Sequence, residues 1–199
     1  MKIAVISPDV PKNIKGIVNI DEYVVYACDD AVSELLRQGI KIDLAIGDFD
    51  SLRNHDLLKG LKTIKLNKEK DFSDTSYAIN HAYNHSNKVV LIGGIKGSRV
   101  DHFLANVVLL DKYKNLVMFD DTNKLYILEK GTHNINKENY DYLTILPVTN
   151  SIISISGTKY ILNKKELNAY DTLGLSNEIV RDKATIEIDQ GKVLVVQSK

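Results

Sequence analysis

A change of periodicity near residue 121 limits what this chain can fold into. Before that point, short apolar runs alternate with stretches whose apolar residues recur at helical spacing. Runs at 2–7, 23–28, 43–46, 61–66, 88–93 and 115–119 read as strands, and 30–38, 73–85 and 101–113 read as helices. In the second helix Tyr77, Ala78, Ala82 and Tyr83 fall near one face; in the third, Phe103, Leu104, Val107, Val108 and Leu110 do the same. Gly39 suits the C-terminal cap of the first. Such alternation predicts an α/β unit, a mostly parallel sheet with helices on both faces. After Asp121 the helical period disappears. Short strands at 124–128, 142–146, 152–156, 184–188 and 193–196 are punctuated by Gly131, Pro147, Gly157 and Gly191, which predicts a smaller C-terminal antiparallel β domain. The expected division is 1–122 and a β-sandwich over 123–199. No Pro/Gly/Ser-rich linker separates them, so they are expected to pack together.

Composition narrows the function. The 26 basic and 26 acidic residues cancel, which argues against bulk attraction to nucleic acid or an anionic membrane. Cys28 is the single cysteine, which excludes an internal disulfide and fits a reducing, cytoplasmic setting. No apolar run approaches the ~20 residues of a membrane span. The start, Met1-Lys2-Ile3-Ala4-Val5-Ile6, is too short an apolar stretch for a signal peptide and reads as a first strand.

Three clusters carry chemistry. The first is Gly47-Asp48-Phe49-Asp50-Ser51, directly after a buried strand, where open α/β sheets bind ligands. If Phe49 turns inward, Asp48 and Asp50 point the same way and repel each other unless a cation sits between them. The plain alternative is a loop capped by Asp and Ser. The second is Lys70-Asp71-Phe72-Ser73-Asp74-Thr75, at the entrance to a helix. Ser73 or Asp71 suits a helix cap, while Lys70 could neutralise a phosphate beside metal-binding carboxylates. The third runs from Gly93-Gly94 through Ile95-Lys96-Gly97-Ser98 to Arg99, Asp101 and His102, with Asn106 a turn later. Glycines between a strand and a helix let backbone N–H groups approach a phosphate, and Arg99 offers a fork for its oxygens. It matches neither the P-loop nor the dinucleotide pattern, and an ordinary glycine-rich turn is its plain reading. His55, His81, His85 and His133 lack metal-ligand spacing and read as surface residues; Cys28 reads as a buried apolar one.

In this order, Asp29, Gly39-Ile40, Gly47 to Ser51, Lys70-Asp71-x-Ser73-Asp74-Thr75 and Arg99-x-Asp101-His102-x3-Asn106 resemble the thiamine pyrophosphokinase family. Gly157-Thr158-Lys159-Tyr160-Ile161-Leu162, Leu173 to Glu178 with its Ser176-Asn177-Glu178, and Gly191 to Val196 extend the resemblance over nearly the whole chain. It implies an ATP-dependent transfer of diphosphate to the thiamine hydroxyl, with AMP as the other product. It implies catalytic Asp48, Asp50, Asp71, Asp74 and Asp101, with Mg²⁺ on Asp48, Asp50, Asp71 and Asp74. It further implies nucleotide contacts from Asp29, Ser51, Lys70, Thr75, Arg99, His102 and Asn106. Ser176 and Asn177 would face the thiamine pyrimidine, and a homodimer would share its active sites between chains. Asp71 or Asp101 would take the hydroxyl proton. Three departures stand out: Asp30-Ala31 where a glycine usually follows the aspartate, Ser98 where a second glycine is common, and no Trp to stack on thiamine. Two rivals are a phosphohydrolase with Asp48 as nucleophile, since Asp48-Phe49-Asp50 resembles the Asp-x-Asp of haloacid-dehalogenase-like enzymes, and a non-catalytic thiamine sensor.

Overall fold

The computed structural model describes residues 1–97 and 99–199; Ser98, and with it the effect of serine at that position, lies outside the described residues. The chain divides into two compact units, Met1–Asp121 and Thr122–Lys199.

In the first unit β1 (Lys2–Ile6), β2 (Tyr23–Cys28), β3 (Leu44–Gly47), β4 (Thr63–Lys65), β5 (Val89–Ile92) and β6 (Val117–Phe119) form a sheet in the order β6-β5-β1-β2-β3-β4. Every neighbouring pair is parallel. Its helices are α1 (Ala31–Arg37), α2 (Asp74–Tyr83) and α3 (Val100–Lys112). Strand pleating sorts the side chains. Ala4, Ile6, Val25, Ala27 and Ala45 share a core with Val32 and Leu35 of α1. The alternate residues Ile3, Val5, Tyr26, Cys28 and Ile46 are also buried. On their side lies α2, with Ala78, Ile79 and Ala82 buried and the His81 ring 5.5 Å from that of Tyr26. Burial on both faces is why these strands read as unbroken apolar runs. A fully buried aliphatic such as Ile6 or Leu35 stabilises by about 1.5–3 kcal/mol. Gly39 closes α1 at φ 64, with Ile40 N–H donating to the Leu35 carbonyl at 2.9 Å, the left-handed end that favours glycine.

Helix α3 departs from its expected face. Asn106, Leu109 and Leu110 are buried, whereas Leu104 and Val108 stand exposed beside Val100. The helix is apolar on two sides, so periodicity alone could not choose between them.

The second unit holds β7 (Asn123–Asn136), β8 (Tyr142–Pro147), β9 (Ser151–Ser156), β10 (Leu162–Leu167) and β11 (Lys183–Ser198). β7 and β11 pair antiparallel from Lys183↔Asn136 to Ser198↔Asn123, with a register shift between Ile188 and Lys192. β9 pairs with the first half of β11 and β8 with the second, while β10 extends β9. The antiparallel sheet closes on Leu143, Ile145, Ile153, Ile155, Ile186, Val193 and Val195. Two of the expected strands, 184–188 and 193–196, are one bent strand. Gly191, at φ 89, bends it without ending it, and a Cβ there would lie 2.2 Å from Ser151 Oγ. Gly131 likewise lies within β7. β10 was not expected: Leu162-Asn163-Lys164-Lys165-Glu166-Leu167 is mostly exposed and lacks apolar alternation, the composition of a protected edge. Among the described residues no helix is long and apolar enough to cross a membrane.

Candidate active site

Because the first unit's strands are all parallel, their C-terminal ends lie along one edge of the sheet. The loops after β1, β2, β3, β4 and β5 therefore bring Ser7–Asp9, Asp29, Asp48–Asp50, Lys68–Lys70 and Gly93–Gly97 to that edge.

The Asp48–Asp50 loop is held from inside. Phe49 is buried at φ 60, and its N–H donates to Asp29 Oδ1 at 2.8 Å. Gly47 has to be a glycine here, since a Cβ would lie 2.6 Å from the same Asp29 oxygen. With Phe49 inward, the two aspartates turn outward, and Asp48 Oδ1 accepts from the Asp50 N–H at 3.1 Å. The outcome is a group of three carboxylates: one oxygen each from Asp29, Asp48 and Asp50 lie within 4.8 Å of one another. Asp29, assigned from the sequence to nucleotide contact, thus sits with the Asp48/Asp50 pair. The signal was present, because Asp29 follows a buried strand just as Asp48 does.

Lysines answer this charge. Lys70 Nζ lies 2.8 Å from Asp48 Oδ2 and 3.3 Å from Asp74 Oδ1, and Lys68 Nζ lies 2.9 Å from Asp50 Oδ2. The 3.3 Å approach meets the distance of an ion pair but not the geometry of a hydrogen bond, and the buried Asp74 Oδ1 has no hydrogen-bond partner among the described residues. Burial opposes the Lys70 ammonium, but its hydrogen bond to Asp48 and the neighbouring charge of Asp74 outweigh burial and hold its pKa above the ordinary value. The Lys70 bond holds the Asp48 carboxyl below its usual range. Asp29 goes the other way, to about 6, because it is half-buried and faces the charges of Asp74, Asp48 and Asp50. Three converging hard oxygen donors, a buried carboxylate oxygen without a hydrogen bond nearby and a carboxyl that ionises reluctantly fit a divalent cation of the Mg²⁺ class.

Beside this group a cleft of ≈ 100 Å³ is lined by Ser7, Pro8, Asp9, Asp29, Ser73, Asp74, Thr75, Gly94, Lys96, Arg99, His102, Ala105 and Asn106. Ser73 caps α2 by accepting from Ser76 N–H at 3.1 Å, which sets Asp74 in the first turn. The buried Thr75 and Ser7 hydroxyls meet at 2.9 Å. Asn106 donates to the Gly94 carbonyl at 3.2 Å. A Cβ on Gly94 would lie 2.5 Å from Asn106 Nδ2 and 2.9 Å from Ser7 Oγ, so the loop after β5 hugs the cleft floor. Arg99 is exposed at the rim, its Nε 2.9 Å from Asp101 Oδ1. That bond holds the Asp101 carboxyl down to about 2. Asp71 is exposed and outside the three-carboxylate group; Ser51 Oγ donates to Asp50 Oδ1 at 3.2 Å.

The structure therefore gathers Asp29, Asp48, Asp50, Lys70, Asp74, Thr75, Arg99, His102 and Asn106 along one edge, and adds Ser7, Asp9 and Lys68. Cys28 is buried as expected, and burial pushes its thiol up. His81 is not a plain surface residue: its Nδ1 is buried without a hydrogen-bond partner among the described residues, and its ring stacks 4.7 Å from that of His85.

In the second unit Ser176 is exposed at φ 54, and its N–H donates to Thr144 Oγ1 at 3.0 Å. Asn177 is buried. Its amide accepts from the Tyr160 N–H at 3.0 Å and donates to the Tyr160 carbonyl at 2.7 Å. The Tyr160 backbone is thereby clamped while the residue as a whole stays 61% exposed, flanked by the Lys159–Glu178 pair. Tyr160 offers an aromatic face in a chain without Trp.

Residues 18–119 match the family model of the thiamin pyrophosphokinase catalytic domain, and residues 132–193 that of the thiamin pyrophosphokinase vitamin B1 binding domain. A thiamine pyrophosphokinase of Bacillus subtilis is 30% identical over 192 residues, spanning 89% of this chain and 89% of its own. Among solved structures, thiamine pyrophosphokinase from Bacillus subtilis superimposes with a TM-score of 0.89 at 25% identity, covering 100% of this chain and 99% of that one. The thiamin pyrophosphokinase from Geobacillus thermodenitrificans gives 0.88 at 26%, covering 100% and 98%.

Proposed function

The chain belongs to the thiamin pyrophosphokinase family, and from that premise we propose that it moves the terminal diphosphate of ATP onto the thiamine hydroxyl, giving thiamine diphosphate and AMP. The observation that carries this reading is the convergence of Asp29, Asp48 and Asp50 beside Lys70 and a cleft within the unit that matches the catalytic domain.

Asp29, Asp48 and Asp50 would hold Mg²⁺, with Asp74 beside them. An ion held there would supply neutralisation of phosphate charge. The chain's own residues do the positioning. Lys70, held between Asp48 and Asp74, keeps its proton and presents a fixed positive charge to the phosphates. Arg99 can exchange its bond to Asp101 for phosphate oxygens. Ser7, Thr75 and Asn106 floor the cleft, and their hydrogen bonds fix that floor in place. Such fixed charges and dipoles, set before the reaction, are the main source of rate in phosphoryl transfer. While Arg99 is bonded to it, the Asp101 carboxyl is held to about 2 and accepts a proton poorly. Once Arg99 turns to phosphate that hold is gone, so Asp101 and Asp71, the latter exposed in the loop before α2, both stand as acceptors for the thiamine hydroxyl proton.

Thiamine recognition falls to the second unit. Tyr160 would stack on the substrate rings, Ser176 would offer a hydroxyl, and Asn177 would act by fixing the Tyr160 backbone. We assign the protein to the cytoplasm and to a homodimer with shared sites. Exposed Tyr160, Ile161, Leu173, Leu175 and Val180 on one unit, and Val100, Leu104 and Val108 on the other, support a chain that covers apolar surface by pairing.

The phosphohydrolase reading fares worse. Both Asp48 oxygens are engaged, one by Lys70 and one by the Asp50 N–H, which suits an anchored carboxylate better than a nucleophile. Incubation with ATP, Mg²⁺ and thiamine followed by product identification tests the proposal. AMP and thiamine diphosphate are expected; release of inorganic phosphate without thiamine diphosphate would support the hydrolase, and binding of thiamine without turnover the sensor.

A further inference from the structure

We propose that Asp9 binds the ribose hydroxyls of the nucleotide and makes the site selective for ribonucleotides; this rests on reading the cleft as the ATP site. Asp9 follows β1 with φ 62, a left-handed conformation that aspartate tolerates better than most residues. Its side chain is pressed against the glycine loop after β5. A Cβ on Gly97 would lie 2.1 Å from Asp9 Oδ2, and one on Gly93 would lie 3.1 Å from the Asp9 carbonyl. The two loops fix each other, and Asp9 becomes part of the cleft wall.

The Asp9 carboxylate is exposed on that wall and so open to a ligand in the cleft. It is outside the metal-binding group, and it has no hydrogen-bond partner among the described residues. Towards a polyphosphate it is repulsive. It becomes favourable only if the ligand offers donors at that point.

Strand order says which part of the ligand arrives there. The carboxylates that would hold the metal follow β2 and β3, whereas Asp9 follows β1 and packs on the loop after β5. From β3 to β1 is two strand spacings, about 10 Å. A triphosphate anchored beside Asp48 and Asp50 and running along the sheet edge brings its ribose to β1 and β5. Vicinal hydroxyls present two donors to the two oxygens of one carboxylate. An acidic residue takes ribose hydroxyls in the same way in dinucleotide-binding sheets.

The test compares binding of ATP and 2′,3′-dideoxy-ATP by calorimetry, with Mg²⁺, in the wild type, Asp9→Gly and Asp9→Asn. Glycine suits the φ of residue 9, so the first variant removes the carboxylate without straining the loop. The wild type is expected to bind ATP about tenfold or more tightly than the dideoxy nucleotide, the scale of a hydrogen bond to a charged group. Asp9→Gly should weaken ATP by a similar factor, leave the dideoxy nucleotide within about twofold, and so erase the preference; Asp9→Asn should keep part of it. Equal weakening of both nucleotides, or an unchanged preference in Asp9→Gly, would overturn the assignment and leave Asp9 as a loop-shaping residue. Failure of the wild type to bind either nucleotide would overturn the reading of the cleft itself, and the Asp9 proposal with it.

Discussion

Asp29 is the most costly ionised group of the site, since burial and three neighbouring carboxylates all disfavour its charge. Asp29→Asn should therefore raise the melting temperature of the metal-free protein while abolishing the rise that Mg²⁺ and ATP give the wild type. Asp48→Asn keeps shape and removes charge; it should lower kcat by about a hundredfold, the scale of preorganised electrostatic groups, with the fold intact. Full turnover of either variant, or of the wild type in excess EDTA, would remove the carboxylates from the mechanism. Asp48 and Asp50 were legible from their place directly after a buried strand; the extended-chain alternation expected there is not what turns them outward, since Phe49 points inward from a left-handed φ of 60. Sequence reading could not reach the Asn177 clamp. The direction of that amide is set by the backbone bridge between Leu143 and Asn177, a long-range contact that no local pattern encodes.

At the level of elements, the parallel strands were legible because burial on both faces leaves unbroken apolar runs. The β7/β11 pair was not, because Gly131 and Gly191 look like turn residues. At residue 191 the φ of 89 and the contact with Ser151 mark a bend that a side chain cannot share. Gly191→Ala should cost about 2–4 kcal/mol, from left-handed strain and overpacking together. Urea unfolding monitored by circular dichroism measures this, and a loss below the lower figure would mean that β11 can straighten. Helix α2 carries a second test. Burial first, and the charge of His85 second, hold the His81 imidazole below its ordinary 6.5. The unfolded chain therefore takes up that proton first. The stability His81 contributes is complete above 6.5 and falls away as pH drops through it. His81→Gln should flatten the decline in melting temperature between about pH 7 and pH 5. An identical decline in both proteins would show that the stack with Tyr26, Tyr77 and His85 does not govern it.

For the whole molecule, chemistry and substrate recognition are assigned to different units, which makes sharing between two chains testable. An Asp48→Asn chain and a Tyr160→Ala chain, each strongly impaired alone, should recover activity when mixed. With random exchange about a quarter of sites would be intact, because half the dimers are mixed and each has one wild-type site. No recovery despite demonstrated exchange would mean that each site is built within one chain. The exposed stripe Val100, Leu104 and Val108 shows why the sequence was mute here. An apolar helix face reads as core whether the chain covers it itself or a second copy does. The most direct measurement of the central claim follows a radiolabel on the β-phosphate of ATP, supplied with Mg²⁺ and thiamine. Diphosphate transfer predicts that the label leaves the nucleotide, appears in thiamine diphosphate, and leaves unlabelled AMP in equal amount. Label retained in ADP, or recovered only as inorganic phosphate, would contradict it.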